Sequence, residues 1–417
     1  MNAEPVRAQI REALLKALQY FVYRDSRFSS VLVFGYSLVL GHYRNVKRMP
    51  VEWLDETKTG FIRTLAAGTP GYSYGPVVSG SQRVEPVLLP AVSLYRFEDA
   101  GVSALSSSVV LRDKIVIERV EGVELSRCDF SAGPVLMHGE KSALDEKQPE
   151  EYIAKGMFLA GNGSLNYYHW MIELLPKLQF LREEGGGYGD FPLLVSDAVK
   201  NTVSFGEALL LAGKERQVIY LDEKITYRVG ELVYINTPNC LPFNLKQQAD
   251  IRVADFLFRK SSINDLRRSL GADPDGLSPA GSGRIFLARR PGRRSYNQEE
   301  IFKVFEKYGF EKVFPEDLSL LRQLELFSNA EIIAGPSGAA WTNLIFCRKG
   351  AKCLCWMAAE YSGFSAFSNL AQIAGADLRY VVYPTAARST AELYELNYRI
   401  DAVEIKRALD ELLRAQR

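Results

Sequence analysis

Apolar positions along this chain repeat with two periods, and the period changes several times. Residues 7–23 carry them at helical spacing (Ile10, Leu14, Leu15, Leu18, Phe21), and residues 29–45 add a second apolar segment ending in His42-Tyr43-Arg44. The two segments predict a helical pair, a dimerisation element or cover for an exposed domain edge; the pattern does not separate these. Residues 60–90 are rich in Gly, Pro, Ser and Tyr, which predicts an irregular segment. From Val87 to Cys128 short β-like runs take over, such as Ser107–Leu111 and Lys114–Val120. Strand and helix then alternate. Pro192–Val195, Val218–Leu221 and Leu232–Ile235 read as strands, Val203–Leu211 as a helix, and Lys246–Lys260 as a long helix reaching towards Leu270. That order predicts α/β architecture with parallel strands.

The stretch Gly271 to Gly283 has the composition of a linker, and a second α/β unit follows it. Arg284–Ala288 reads as a strand leading into a basic loop, Arg289-Arg290-Pro291-Gly292-Arg293-Arg294. Asn297 and Glu300 suggest a capping box for a helix running to Tyr308. Val313-Phe314 and Glu331–Ala334 read as strands, Leu320–Phe327 and Ala339–Phe346 as helices, and Lys352–Trp356 as a further strand. Ala402–Leu413 has the pattern of an amphipathic, charged helix. The resulting division is an N-terminal extension (1–86), a first domain (87–272), a linker (273–283), a second domain (284–385) and a helical tail (386–417).

Composition adds little that is specific. A length of 417 residues with 47% hydrophobic content suits two cores. Lys plus Arg number 51 against 50 Asp plus Glu, so net charge gives no general argument for nucleic acid or a bulk anionic membrane. The 5 cysteines are too few and too irregularly spaced for a disulfide framework, and Cys353 and Cys355 would share one face of a strand. No histidine near them completes a zinc site, so no metal is expected. Met1-Asn2-Ala3-Glu4-Pro5 lacks the order of a secretory signal, and the apolar run Ser30 to Leu40 is too short to span a bilayer. The expectation is a soluble, cytoplasmic protein.

The chemistry concentrates in three places. Asn166-Tyr167-Tyr168-His169-Trp170-Met171-Ile172-Glu173-Leu174-Leu175-Pro176 holds one of the chain's 3 histidines. Asn166 is a plausible N-cap, His169 and Glu173 share a helical face, and Pro176 should bend or break the helix. An imidazole beside a carboxylate is the arrangement of a general base with an orienting partner; the bland alternative is a wet domain edge. Gly335-Pro336-Ser337-Gly338 lies between a strand and a helix, where free N–H groups favour an anion. Arg289–Arg294 lies at the carboxyl end of another strand, and basic forks beside a helix start suit a diphosphate. Conformational glycines and a solvated arginine loop are the alternatives. Neither a Walker-type run nor a Gly-x-Gly-x-x-Gly run follows a strand.

Three motifs occur in order: NYYHWMIELLPKL, RIFLARRPGRRSYNQEEI and DLSLLRQLELFSNAEIIAGPSGAAWTNLIF. This set resembles the family 61 glycosyltransferases, over roughly residues 87–360. The resemblance implies a GT-B fold, in which two Rossmann-like domains face a cleft, the first on the acceptor side and the second on the donor side. It also implies an inverting enzyme that uses a UDP-sugar. His169 falls on the family's helix-start histidine. Arg289 or Arg290, Arg294 and Asn297 fall on donor-side positions, Gln323 on the glutamine ahead of a strand, and Gly335, Gly338 and Asn343 on the Gly-x-x-Gly…Asn turn and helix. Many relatives have histidine where this chain has Ser337, so a cationic donor contact is replaced by a neutral one.

The mechanism so implied has His169 or Glu173 as base. Arg289, Arg290, Arg294 and the N–H groups of Ser337–Ala339 stabilise the leaving diphosphate, with no metal or cofactor. The Asp273-Pro274-Asp275 pair, of a type that binds metal–diphosphate in some glycosyltransferases, is read as a solvated turn. The expected partners are a nucleotide-sugar and a glycan or lipid-linked glycan, in bacterial capsule or other surface polysaccharide synthesis. The N-terminal segments would be the place for peripheral contact with the inner membrane or for self-association. The alternatives are a non-catalytic nucleotide- or glycan-binding subunit on a decayed fold, and a sugar-nucleotide epimerase that needs no acceptor.

Overall fold

The computed structural model describes residues 46–120, 124–146, 150–183, 187–214, 216–242, 245, 251–272, 282–387 and 390–414. The two apolar segments expected over 7–23 and 29–45, nearly all of the linker with Asp273-Pro274-Asp275, and residues 246–250 lie outside this description. Among the described residues, no helix is long and apolar enough to cross a membrane.

The chain enters through β1 (Val46–Trp53), β2 (Phe61–Ala66), β3 (Thr69–Tyr74), β4 (Val77–Val78) and β5 (Val84–Leu89). Irregular structure was expected over 60–90, and here four of these strands replace it. Composition disfavoured them, but partners supply their hydrogen bonds: β3 pairs with β5, β2 with β6, and β4 with β19 at the far end of the molecule. Residues 46–86 are therefore built into both sheets rather than standing apart as an extension.

The following strands are β6 (Val92–Ser103), β7 (Ser106–Val110), β8 (Ile115–Ile117), β9 (Val135–His138), β10 (Ser142–Glu146), β11 (Glu150–Phe158), β12 (Leu193–Ser196), β13 (Val218–Leu221) and β14 (Thr226–Ile235). They join β1 and β2 in a mixed sheet of order β13-β12-β11-β14-β6-β7-β8-β1-β10-β9, with β2 on β6. The strands β11 to β14 form a continuous parallel block, and the rest of the sheet pairs antiparallel except for β1, which runs parallel to β8.

The second sheet matches the expected rhythm more closely. It consists of β15 (Gly283–Leu287), β16 (Glu311–Val313), β17 (Ala330–Pro336), β18 (Lys352–Ala358) and β19 (Asp377–Tyr383), with β4 added at the edge. All are parallel, in the order β16-β15-β17-β18-β19-β4. Strand order reverses between β15 and β17, and in an open parallel sheet the crevice beyond the carboxyl ends at such a point is where ligands bind. Gly335 permits this pairing to be close, because a Cβ there would lie 2.6 Å from Leu287 Cβ.

Helices cover these sheets. In chain order they are α1 (Tyr167–His169), α2 (Lys177–Glu183), α3 (Ala198–Asn201), α4 (Val203–Gly213), α5 (Lys260–Ser269), α6 (Gln298–Glu306), α7 (Leu320–Asn329), α8 (Ala366–Ala374), α9 (Thr390–Glu395) and α10 (Ala402–Arg414). The long helix expected from Lys246 begins only at Lys260. Before it come a 3-10 turn, Val253–Asp255, and a bridge between Cys240 and Leu257. Phe256, Leu257 and Phe258 are all buried in succession, which a one-sided helix could not achieve. A single apolar core runs through both units, with Trp170 stacked on Phe205 (5.9 Å) and Trp341 wholly buried.

Candidate active site

The first wall of the site starts at the end of β11. Asn166 caps α1 as expected, its side chain accepting from Tyr168 N at 2.9 Å. The helix then widens into a π-turn over Trp170–Leu174, with Leu175 N donating to Trp170 O at 3.0 Å. Pro176 has no N–H for the carbonyl of Ile172 one turn back. Asn239 fills that role, donating Nδ2 to Ile172 O at 2.8 Å and accepting from Arg259 N at 2.8 Å. The helix is thus reshaped rather than broken, as local π-turns at functional sites often are.

This geometry places His169 Nδ1 in hydrogen-bond contact with Glu173 Oε2. The other carboxylate oxygen, Oε1, accepts from Leu241 N at 2.6 Å, so the carboxylate is anchored to backbone while it orients the ring. Both residues are 8% exposed. Gly163 lies against the imidazole with φ +79°, and a Cβ there would come within 2.5 Å of the ring.

The second wall is the arginine loop after β15. Arg289 exchanges hydrogen bonds with Gln298 through its backbone N and O (2.7 and 3.1 Å), and its guanidinium donates to Ser337 O at 2.8 Å. Gly338 makes room for that guanidinium, since a Cβ would sit 3.0 Å from it. Burial, reinforced by the positive charge of Arg294, lowers the Arg289 pKa from its ordinary value. Arg294 is 8% exposed, has φ +56°, and bonds to the Tyr383 phenol. The other two arginines also line the cleft but are exposed and ion-paired. Arg290 pairs with Asp317 over the Phe314 ring, and Arg293 with Glu395.

Other expected donor residues take different places. Asn297 faces the tail: its amide donates to Ile400 O (2.9 Å) and Glu300, and accepts from Ile400 N (3.0 Å). It does not form the side-chain cap that the sequence suggested. Ser337 N is used by the sheet, donating to Trp356 O at 2.8 Å, so of the three N–H groups expected at the turn this one is committed to β18. The helix expected over Ala339–Phe346 is a 3-10 helix of the same span. Gln323 and Asn343 bond to each other (2.7 Å), and Asn343 accepts from Tyr167 OH at 2.8 Å. These two link the units and do not line the main cleft.

His169 from the first wall and Arg289, Arg294, Ser337, Gly338 and Ala339 from the second line one cleft of about 610 Å³. Its other side is apolar and aromatic, with Leu241, Phe256, Tyr361, Phe364 and Phe367. A neighbouring cavity of about 370 Å³ shares Arg289, Gly338 and Ala339 and adds Gln323, Thr202 and Ser204. Glu173 faces a small cavity of about 70 Å³ on the other side of His169, together with Glu118 and Asn236. The sequence reading missed Asn239, Gly163 and the aromatic wall, which no local motif signals. Among the described residues, no group of three or more His, Cys, Asp or Glu is placed to hold a metal ion.

No curated protein matches the chain. Residues 167–354 do match a family model, and they include His169, Glu173, the arginine loop and the turn after β17. That family is described as Glycosyltransferase 61, and over these residues the chain is similar to it.

Proposed function

We propose that the cleft transfers a sugar from a nucleotide-sugar to a hydroxyl of a glycan acceptor, with inversion at the anomeric carbon. The observation that carries this reading is that His169, held by Glu173 from behind, and the Arg289–Arg294 pair of the other sheet face one cavity. With Nδ1 committed to Glu173, His169 Nε2 is the nitrogen for proton transfer. The acceptor hydroxyl gives its proton to Nε2 while its oxygen bonds to the anomeric carbon from the face opposite the leaving group. The bond from that carbon to the diphosphate oxygen breaks, and the electron pair leaves with the diphosphate. Arg289, Arg294 and the N–H groups of Gly338 and Ala339 offset the charge that develops.

Two arginines make a divalent metal unnecessary in this scheme, and a UDP-sugar is the donor that family 61 resemblance favours. A GT-B-type closure of the two units over the donor, and a role in bacterial surface polysaccharide synthesis at the inner membrane, belong to the same reading. The aromatic side of the cleft suits the acceptor, because sugar rings present apolar faces to aromatic planes.

The experiment is thermal-shift screening against UDP, GDP, CMP and their sugars, with and without a divalent metal, followed by transfer assays. Metal-independent stabilisation by one nucleotide, lost in Arg294→Ala, is the expected result. Binding of a nucleotide without transfer to any glycan would instead favour a non-catalytic subunit, for which the neutral Ser337 is the supporting feature.

A further inference from the structure

The arginine loop is closed from within by Ser295, whose Oγ accepts from Gly292 N (3.0 Å) and donates to Gly292 O (2.7 Å), and it is also held from outside. Arg294 takes a left-handed backbone conformation (φ +56°) that costs a non-glycine residue energy unless its surroundings fix it. The residues that do so come from the chain's last fifty. Asn397 Oδ1 accepts from Ser295 N at 2.9 Å, and Tyr398 N donates to Ser295 O at 3.0 Å. Ile400 closes a two-way bond with the Asn297 side chain. The Tyr398 ring lies between two others, stacked on Tyr296 at 5.2 Å and on Tyr383 at 4.4 Å, with interplanar angles of 4° and 8°. Tyr383 is the phenol that Arg294 bonds.

We infer that the tail segment Asn397–Ile400 is a strap that positions the anion-binding arginines, with Tyr398 as its central positioning residue. This rests on the reading of Arg289 and Arg294 as a diphosphate site. The strap holds the chain just after Arg294, bonding Ser295 and Asn297 directly and reaching towards the guanidinium through the Tyr383 ring. All its residues lie beyond residue 354, where the family match ends, so the donor site of this chain is completed by a segment outside that match. It also gives Asn297 a role different from the expected one, as the loop's anchor to the tail and not as a donor contact.

The strap predicts a loss of binding without loss of chemistry. UDP and inorganic pyrophosphate are titrated into the full-length protein by calorimetry, alongside unfolding midpoints. Removing one stacked ring should weaken both ligands about three- to tenfold in Tyr398→Ala. Tyr398→Phe keeps the stack and should bind within about twofold of the parent. Asn397→Ala, a surface change that removes one loop bond, should weaken binding in the same direction. In a transfer assay the loss should appear in KM for the donor, with kcat retained. Wild-type affinity in both Tyr398→Ala and Asn397→Ala, alongside lost affinity in Arg294→Ala, overturns the strap while leaving the arginine site standing. If Arg294→Ala itself binds as the parent does, the diphosphate reading fails and the strap falls with it. Should Tyr398→Ala not fold, Asn397→Ala decides by the same two outcomes.

Discussion

At the scale of single residues the site depends on contacts of a few ångströms. His169→Ala should reduce transfer by roughly 10²–10⁴-fold while leaving nucleotide affinity intact, since the base acts only on the acceptor proton. Equal turnover in His169→Ala and the parent enzyme would remove His169 as the base. Glu173→Gln keeps the shape but not the carboxylate that anchors to Leu241 N and orients the imidazole, so it should lower kcat and leave the donor KM unchanged. Gly163→Ala should be costly twice over. It forces a side chain into a left-handed position, at about 1–3 kcal/mol, and drives a methyl into the His169 ring; a urea titration and a rate measurement check both. None of the five cysteines is in a disulfide and all are buried, and burial pushes Cys347 up to about 12 and Cys240, Cys353 and Cys355 well above the usual thiol range. A thiol reagent should therefore label the native protein little and all five after denaturation.

At the scale of elements, the π-turn shows how one proline is accommodated. Pro176 was legible as an interruption, but the partner that makes it tolerable, Asn239, is 63 residues later in sequence and wholly buried. Asn239→Ala leaves the Ile172 carbonyl and the Arg259 N–H without it in the interior. Each orphaned group should cost about 1–3 kcal/mol, read as a lower denaturant midpoint with an unchanged slope. The central strands β17 and β18 were readable because each holds an unbroken apolar run buried on both faces, Ile332–Ala334 and Cys353–Met357, whereas β19, with Asp377 and Arg379 interrupting it, was not expected. The hairpin of β3 and β5 was not, because Gly, Pro and Ser there carry no strand preference of their own.

At the scale of the molecule, the two units are coupled by a polar relay through an apolar core. Tyr167 OH, Asn343 and Gln323 connect the His169 helix to the second unit by bonds of 2.8 and 2.7 Å. Tyr167→Phe leaves the buried Asn343 carbonyl without this donor and should lower stability by about 1–3 kcal/mol, measured by thermal unfolding. Because Tyr167 and Gln323 line the neighbouring cavity that shares Arg289, the same variant should also weaken nucleotide binding. A variant that unfolds like the parent would show that Asn343 and Gln323 hold the units together without Tyr167.

By itself the sequence determined what depends on neighbours within a turn or a strand. That includes the strand–helix rhythm from Arg284 onward, the Asn166 cap, the His169–Glu173 spacing, and the placing of an arginine loop and a Gly335–Gly338 turn at strand ends. The tertiary structure alone decided which arginines are sheltered and which stay exposed, that Ser337 N belongs to the sheet, and that Asn297 holds the tail. It also decided that residues 46–86 complete both sheets. The reason is physical. Backbone preferences and side-chain periodicity act over a few residues, whereas a buried hydrogen bond or ring stack takes whichever partner the fold brings within reach, however distant along the chain.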